Sequence, residues 1–206
     1  MATASTPAAL LKAIQSQPPG WAFSACDFAE IGSRSAIDVT LHRMAAAGTI
    51  RRVMRGVYDH PRYSDVLEDH VPPDIGRVAA ALARKFAWTI QPTGDAALNQ
   101  LGLSTQVPAQ AVFLSDGPRR SYTIGKTCLQ FKPATLKEAR YETPESGLLV
   151  HALKALGPQH IHQHVITTMA KTLTPELAER VLMETRNATG WVYDAIRQIC
   201  QGVLHG

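Results

Sequence analysis

The chain has 206 residues, a length that fits one large or two small domains with room for a buried core. Apolar residues make up 45% and charged residues 18%, a balance that excludes a disordered chain or an acidic tail. No apolar run reaches the roughly 18 residues a membrane span needs, and the first residues, MATASTPAALLKAIQ, lack the basic start and apolar run of a secretory signal, so the expected compartment is the cytoplasm with no membrane partner.

The three cysteines, Cys26, Cys128 and Cys200, are far apart and odd in number, which argues for reduced thiols rather than a disulfide framework. The formal net charge is only +4, but it is unevenly spread. Between Ser33 and Arg62 there are six arginines (34, 43, 51, 52, 55 and 62) against two acids, Asp38 and Asp59, an excess equal to that of the whole chain. Such a local basic stretch attracts phosphate.

In chain order, Thr6 and Pro7 open a first helix, with Thr6 as N-cap, Pro7 in the first turn and Leu10 and Ile14 on one face. Pro18-Pro19-Gly20 stops it, and Trp21-Ala22-Phe23 is a short extended link. Ser24 caps a second helix over 25–30, with Asp27 as the capping-box carboxylate. Ser33 opens a third helix that runs to about residue 47, ended by Gly48. Ile37, Leu41 and Met44 recur at i, i+4, i+7 and point inward. Ser35, Asp38, Val39, His42 and Ala46 then lie outward, flanked by Arg34 and Arg43. Two β-prone runs follow, 49–53 and 57–59, with Gly56 supplying the positive φ their turn needs. Helix, short helix, turn, longer helix and hairpin is the order of a winged helix-turn-helix. In that fold the third helix enters the major groove and the hairpin wing lies along the backbone. Arg51, Arg52 and Arg55 on the wing are therefore expected to hold phosphates, while Arg34, Ser35, Asp38, His42 and Arg43 are the candidates on the third helix, Arg43 foremost for reading guanine.

The stretch 60–73, HPRYSDVLEDHVPP, contains three prolines and reads as a connector. Asp74 caps a helix over 75–87, and a short strand candidate covers 88–91. Gly94-Asp95 leads into a short helix, and three strands follow over 110–114, 119–124 and 126–132, expected as a small antiparallel sheet. Thr143-Pro144-Glu145 and Thr174-Pro175-Glu176 each combine an N-cap, a first-turn proline and an acid, and each starts a helix. A last helix covers 191–200. The expected fold is α+β, an N-terminal winged helix-turn-helix (1–62), a connector (63–73) and a mixed domain (74–206) with a small antiparallel sheet about 88–132 and helices about 144–201.

Phosphate-binding GxxxxGK[ST], GxGxxG after a strand and GxSxG are all absent. His160, His162 and His164 alternate, but no acid or cysteine stands at metal-ligand spacing, so they read as solvated histidines at a helix start and no metal or cofactor is expected. Asp116 and Glu138 beside Lys126 or Lys132 offer a weaker nuclease reading, with the chain otherwise non-enzymatic. Arg119, Arg120, Lys126 and Lys132 form a possible secondary basic surface on the sheet.

The run GSRSAIDVTLHRMAAAGTIRRVMRGVYDHP, followed by PTGDAALNQLGLSTQVPAQAVFLSDGPRR, resembles the AbiEi-type antitoxins of bacterial type IV toxin–antitoxin systems over about residues 6–135. The marks are Ala47-Gly48-Thr49-Ile50 at the helix end, Arg55-Gly56-Val57-Tyr58 in the wing and Thr93-Gly94-Asp95-Ala96-Ala97-Leu98 at a helix start. The resemblance implies a winged-helix repressor of its own operon that binds promoter DNA, with a C-terminal domain needed for antitoxicity. It also implies a nucleotidyltransferase-like toxin as partner, with direct contact left open. The alternative is a stand-alone winged-helix regulator whose C-terminal domain senses a ligand or oligomerises.

Overall fold

Pro7 in the first turn and apolar residues four apart give helix α1 (Thr6–Gln15), with Leu10 and Ile14 fully buried; the cap is Ser5, one residue before the expected Thr6. Strand β1 (Ala22–Phe23) follows, then a 3-10 turn (Ala25–Phe28) closed by the Ser24/Asp27 capping box. This turn is shorter than the helix expected there. Helix α2 (Arg34–Ala46) is capped by Ser33, whose hydroxyl accepts the Ala36 N–H. Strands β2 (Arg51–Met54) and β3 (Val57–Asp59) make a hairpin turned at Arg55-Gly56, and the three strands form an antiparallel sheet in the order β1-β3-β2. Leu10, Ile14, Phe23, Phe28, Ile37, Leu41, Ile50 and Tyr58 share the core beneath it. Trp21, Phe23 and Phe28 stack or meet edge-on, with ring centroids 4.9 to 5.9 Å apart. The structure describes residues 5–106, 108–135 and 141–205 and is a computed structural model.

The chain divides into two units, 1–88 and 89–206. The stretch expected as a bare connector contains a small hairpin, β4 (Tyr63–Ser64) paired with β5 (Asp69–His70). Helix α3 (Ile75–Phe86), which the sequence reading gave to the second domain, belongs to the first unit and packs on β1, the 3-10 turn and β3. The reason is a face of small and apolar side chains, Val78, Ala79, Ala81, Leu82 and Ala83, all buried. Arg84 then fastens it. Its guanidinium pairs with Asp27, donates to the Ala22 carbonyl and lies 5.7 Å over the Trp21 ring. The α3 N-cap is Asp74, as expected.

In the second unit β6 (Ile90–Thr93), β7 (Gln110–Ser115), β8 (Arg120–Ile124) and β9 (Thr127–Pro133) form one sheet in the order β6-β7-β9-β8. The three strands expected from 110 onward are present, but the sheet is not wholly antiparallel. β9 inserts between β7 and β8 and runs parallel to β7, from Gln110 opposite Cys128 to Ser115 opposite Pro133. Helix α4 (Asp95–Gln100) follows β6. Helices α5 (Pro144–Leu156), α6 (Gln163–Ala170), α7 (Pro175–Glu184) and α8 (Gly190–Leu204) enclose a core of Leu149, Leu153, Met169, Val181, Val192, Ile196 and Ile199. Cys200 is fully buried in that core, and burial pushes its thiol up to about 11. Thr143, at the N-cap of α5, does not cap it through its own side chain. Instead Glu184 of α7 accepts the Thr143 N–H (3.1 Å) and hydroxyl (2.9 Å). Among the described residues no helix is long and apolar enough to cross a membrane.

Candidate nucleic-acid interface

Helix α2 separates its residues cleanly. Ile37, Thr40 and Leu41 are buried, and the Thr40 hydroxyl donates to the Ala36 carbonyl, which removes its polar group from the surface balance. Ser35, Asp38, Val39, His42, Arg43 and Ala46 are all exposed, so the outward face read from the sequence is the one presented. Val39 is 47% exposed. Arg34 and Asp38 form an i,i+4 ion pair at 3.0 Å. Both ends of that pair are open to solvent, so it is weak and easily exchanged for another partner.

The hairpin arginines divide into two kinds. Arg52 and Arg55 are exposed, and among the described residues neither has a carboxylate within ion-pair distance; Arg43 shares that property. Arg51 is turned inward. Its Nε and Nη2 bind the two carboxylate oxygens of Asp59, and its Nη1 donates to the Val71 carbonyl at 2.9 Å. Asp59 lies opposite it on β3 and is 1% exposed. A two-pronged guanidinium pair with a buried acid is a structural strut. Arg51 is therefore occupied in holding β2, β3 and the end of the 60–73 stretch together, a role that the expected phosphate contact did not include. The cause is the strand alternation, which puts residues 51 and 52 on opposite faces.

One further cation stands at this end of the unit. Lys85, in the last turn of α3, extends its ammonium to the carbonyls of Arg55 and Gly56, each at 3.4 Å. Gly56 has φ +71, and a Cβ there would come within 2.9 Å of the Lys85 nitrogen. Burial lowers the pKa of Lys85 below its ordinary value; Arg34 and Arg55 act in the same sense, while Cys26 and Asp38 oppose them. Sequence reasoning missed this residue because nothing local links position 85 to a turn some thirty residues earlier.

In the second unit the four expected basic residues do not form one patch. Arg119, Arg120 and Lys132 lie towards one end of the β8–β9 pair, whereas Lys126 sits at the turn after Ile124. The length of β8 separates them, about 13 Å at the usual strand rise. Asp116 accepts the Thr89 N–H at 2.9 Å and ties β6 to the end of β7. Glu138, its suggested partner in a nuclease site, lies outside the described residues. His160, His162 and His164 are exposed at the start of α6, with His160 Nδ1 2.7 Å from the Leu156 carbonyl. Among the described residues no group of three or more histidines, cysteines or acids is arranged to hold a metal ion.

Residues 9–181 match the model of a family described as a family of unknown function, DUF6088. The chain belongs to this family. The DUF6088 match takes in the first unit from α1 onward and the second unit as far as Val181 in α7. It therefore spans the α2 face, the hairpin and the four-stranded sheet, and the DUF6088 description names no activity. No curated protein and no solved structure matches the chain.

Proposed function

We propose that the first unit is a winged helix-turn-helix that binds double-stranded promoter DNA. The observation that carries this reading is the pairing order β1-β3-β2 around α1, the 3-10 turn and α2. In a winged helix a short strand before the recognition helix pairs with the second wing strand, as β1 does here with β3. The outer face of α2 carries small and hydrogen-bonding residues, so a groove could approach it closely, and Arg43, exposed on α2, would pair with a guanine edge. Arg52 and Arg55 would lie along the phosphate backbone.

On the motifs quoted from the sequence, the whole chain acts as an AbiEi-type antitoxin that represses its own operon, works by binding rather than catalysis, and is paired with a nucleotidyltransferase-like toxin. Co-expression with a nucleotidyltransferase-like reading frame adjacent to its own tests this. Rescue of growth by the full chain is expected. Unrelieved toxicity, with promoter binding intact, would leave the stand-alone regulator as the better account.

A further inference from the structure

We propose that Lys85 of α3 is a third nucleic-acid contact, which with Arg34 of α2 and Arg55 of the hairpin turn forms a seat for backbone phosphate. The proposal rests on the DNA-binding reading of the first unit and adds to it a helix that lies outside the winged-helix elements. Lys85, in the last turn of α3, reaches the β2–β3 turn, with its ammonium 3.4 Å from the carbonyls of Arg55 and Gly56, and the charges of Arg55 and of Arg34, the first residue of α2, both act against its own. Like charges brought together in a folded protein repel, and each weakens the charged form of its neighbour. The facing acid from α2 is Asp38, which already pairs with Arg34 at 3.0 Å, and from the 3-10 turn the titratable neighbour is Cys26. Among the described residues Lys85 has no carboxylate within ion-pair distance.

A polyanion resolves that repulsion. A phosphate oxygen can take the place of the two carbonyls that Lys85 now reaches only at 3.4 Å, and its charge offsets the repulsion from Arg34 and Arg55. Gly56 matters to this seat because its missing Cβ leaves the space into which the ammonium extends. The competing role for Lys85 is purely mechanical, a prop that steadies the turn through its two carbonyl contacts.

The test uses the full chain and a 30-base-pair duplex containing the DNA upstream of its own reading frame, with affinity measured across a salt series for wild type, Lys85→Gln and Lys85→Arg. Each phosphate contact contributes about 0.9 to the slope of log affinity against log salt. Lys85→Gln is expected to lower the slope by about that amount, roughly a 3.5-fold difference in affinity loss over a fourfold rise in salt. Lys85→Arg is expected to keep the wild-type slope. An unchanged slope in Lys85→Gln, or a slope that Lys85→Arg fails to keep, overturns the phosphate contact and leaves the prop. Wild-type chain that binds this duplex without salt dependence, or not at all, removes the DNA-binding reading itself. Should Lys85→Gln fail to fold, wild-type chain with 13C-methylated lysines decides the matter by NMR. A Lys85 titration that moves to higher pH on adding the duplex supports the contact, and one that does not move refutes it.

Discussion

Arg51 and Arg52 are neighbours in opposite surroundings, one paired inward and the other exposed. Arg51 neutralises Asp59, which is 1% exposed, and removing it strands a buried carboxylate. Breaking a buried pair from one side costs about 3 kcal/mol or more. Urea unfolding of Arg51→Ala should therefore show a large loss of stability, whereas Arg52→Ala and Arg55→Ala, both at exposed sites, should stay within about 0.5 kcal/mol of wild type. Equal stability of all three variants would contradict the strut. Position alone revealed that this stretch is basic and forms a hairpin. It could not reveal which arginine faces inward, because that depends on an acid eight residues later and on a carbonyl at Val71. The Cys200 thiol offers a second check at this scale. With its pKa raised to about 11, it should ignore Ellman's reagent at pH 8 until denaturant is added. Rapid labelling of all three cysteines in the native chain would show that the α8 core is looser than described.

At the scale of elements, helix starts were the most legible feature, since a cap needs only residues a few positions apart. Ser33, Asp74, the Ser24/Asp27 box and the two Thr-Pro-Glu starts all mark real boundaries. Partners of those elements were less legible. β9 parallel to β7 depends on pairing across the sheet, and β4 and β5 are two residues each with no buried face to give a period. The cap of α5 by Glu184 is a contact of the same long-range kind. Burial raises the pKa of Glu184, but the Thr143 N–H and the Ser146 and Thr143 hydroxyls, with Arg180, outweigh it and hold the carboxyl below 4.5. A carboxyl whose pKa is lower folded than unfolded stabilises the fold above the unfolded value and loses that contribution as pH falls through the folded one. Glu184→Gln should therefore weaken the chain at neutral pH and flatten its stability curve below about pH 4.5. A curve parallel to that of wild type through this range would mean that the ionised carboxylate is not what holds the end of α5.

For the whole molecule, the division at residue 88 changes what a fragment must contain. Proline content suggested a cut near residue 70, but α3 covers β1, the 3-10 turn and β3, and Arg84 supplies the partner of Asp27, whose side chain is 8% exposed. A fragment of residues 1–70 would expose the surface under Val78 and Leu82 and leave that acid unpaired. Residues 1–88 should give a cooperative thermal transition and residues 1–70 should not. A well-folded 1–70 fragment would show that α3 is dispensable to the first unit. The proline-rich stretch suggested a division near residue 70, but the small-residue face of α3 gives no local sign of which side it joins.

The central claim is that the face of α2 and the arginine hairpin grip promoter DNA. The most direct measurement is the affinity of the full chain for the DNA upstream of its own reading frame against a scrambled duplex of equal composition, across a salt series, for wild type and Arg43→Ala. The account predicts tighter binding to the native duplex and a steep salt dependence on both. It also predicts that Arg43→Ala narrows the gap between them by about 1–3 kcal/mol. Equal affinity of the wild-type chain for the two duplexes, with no response to salt, would contradict it.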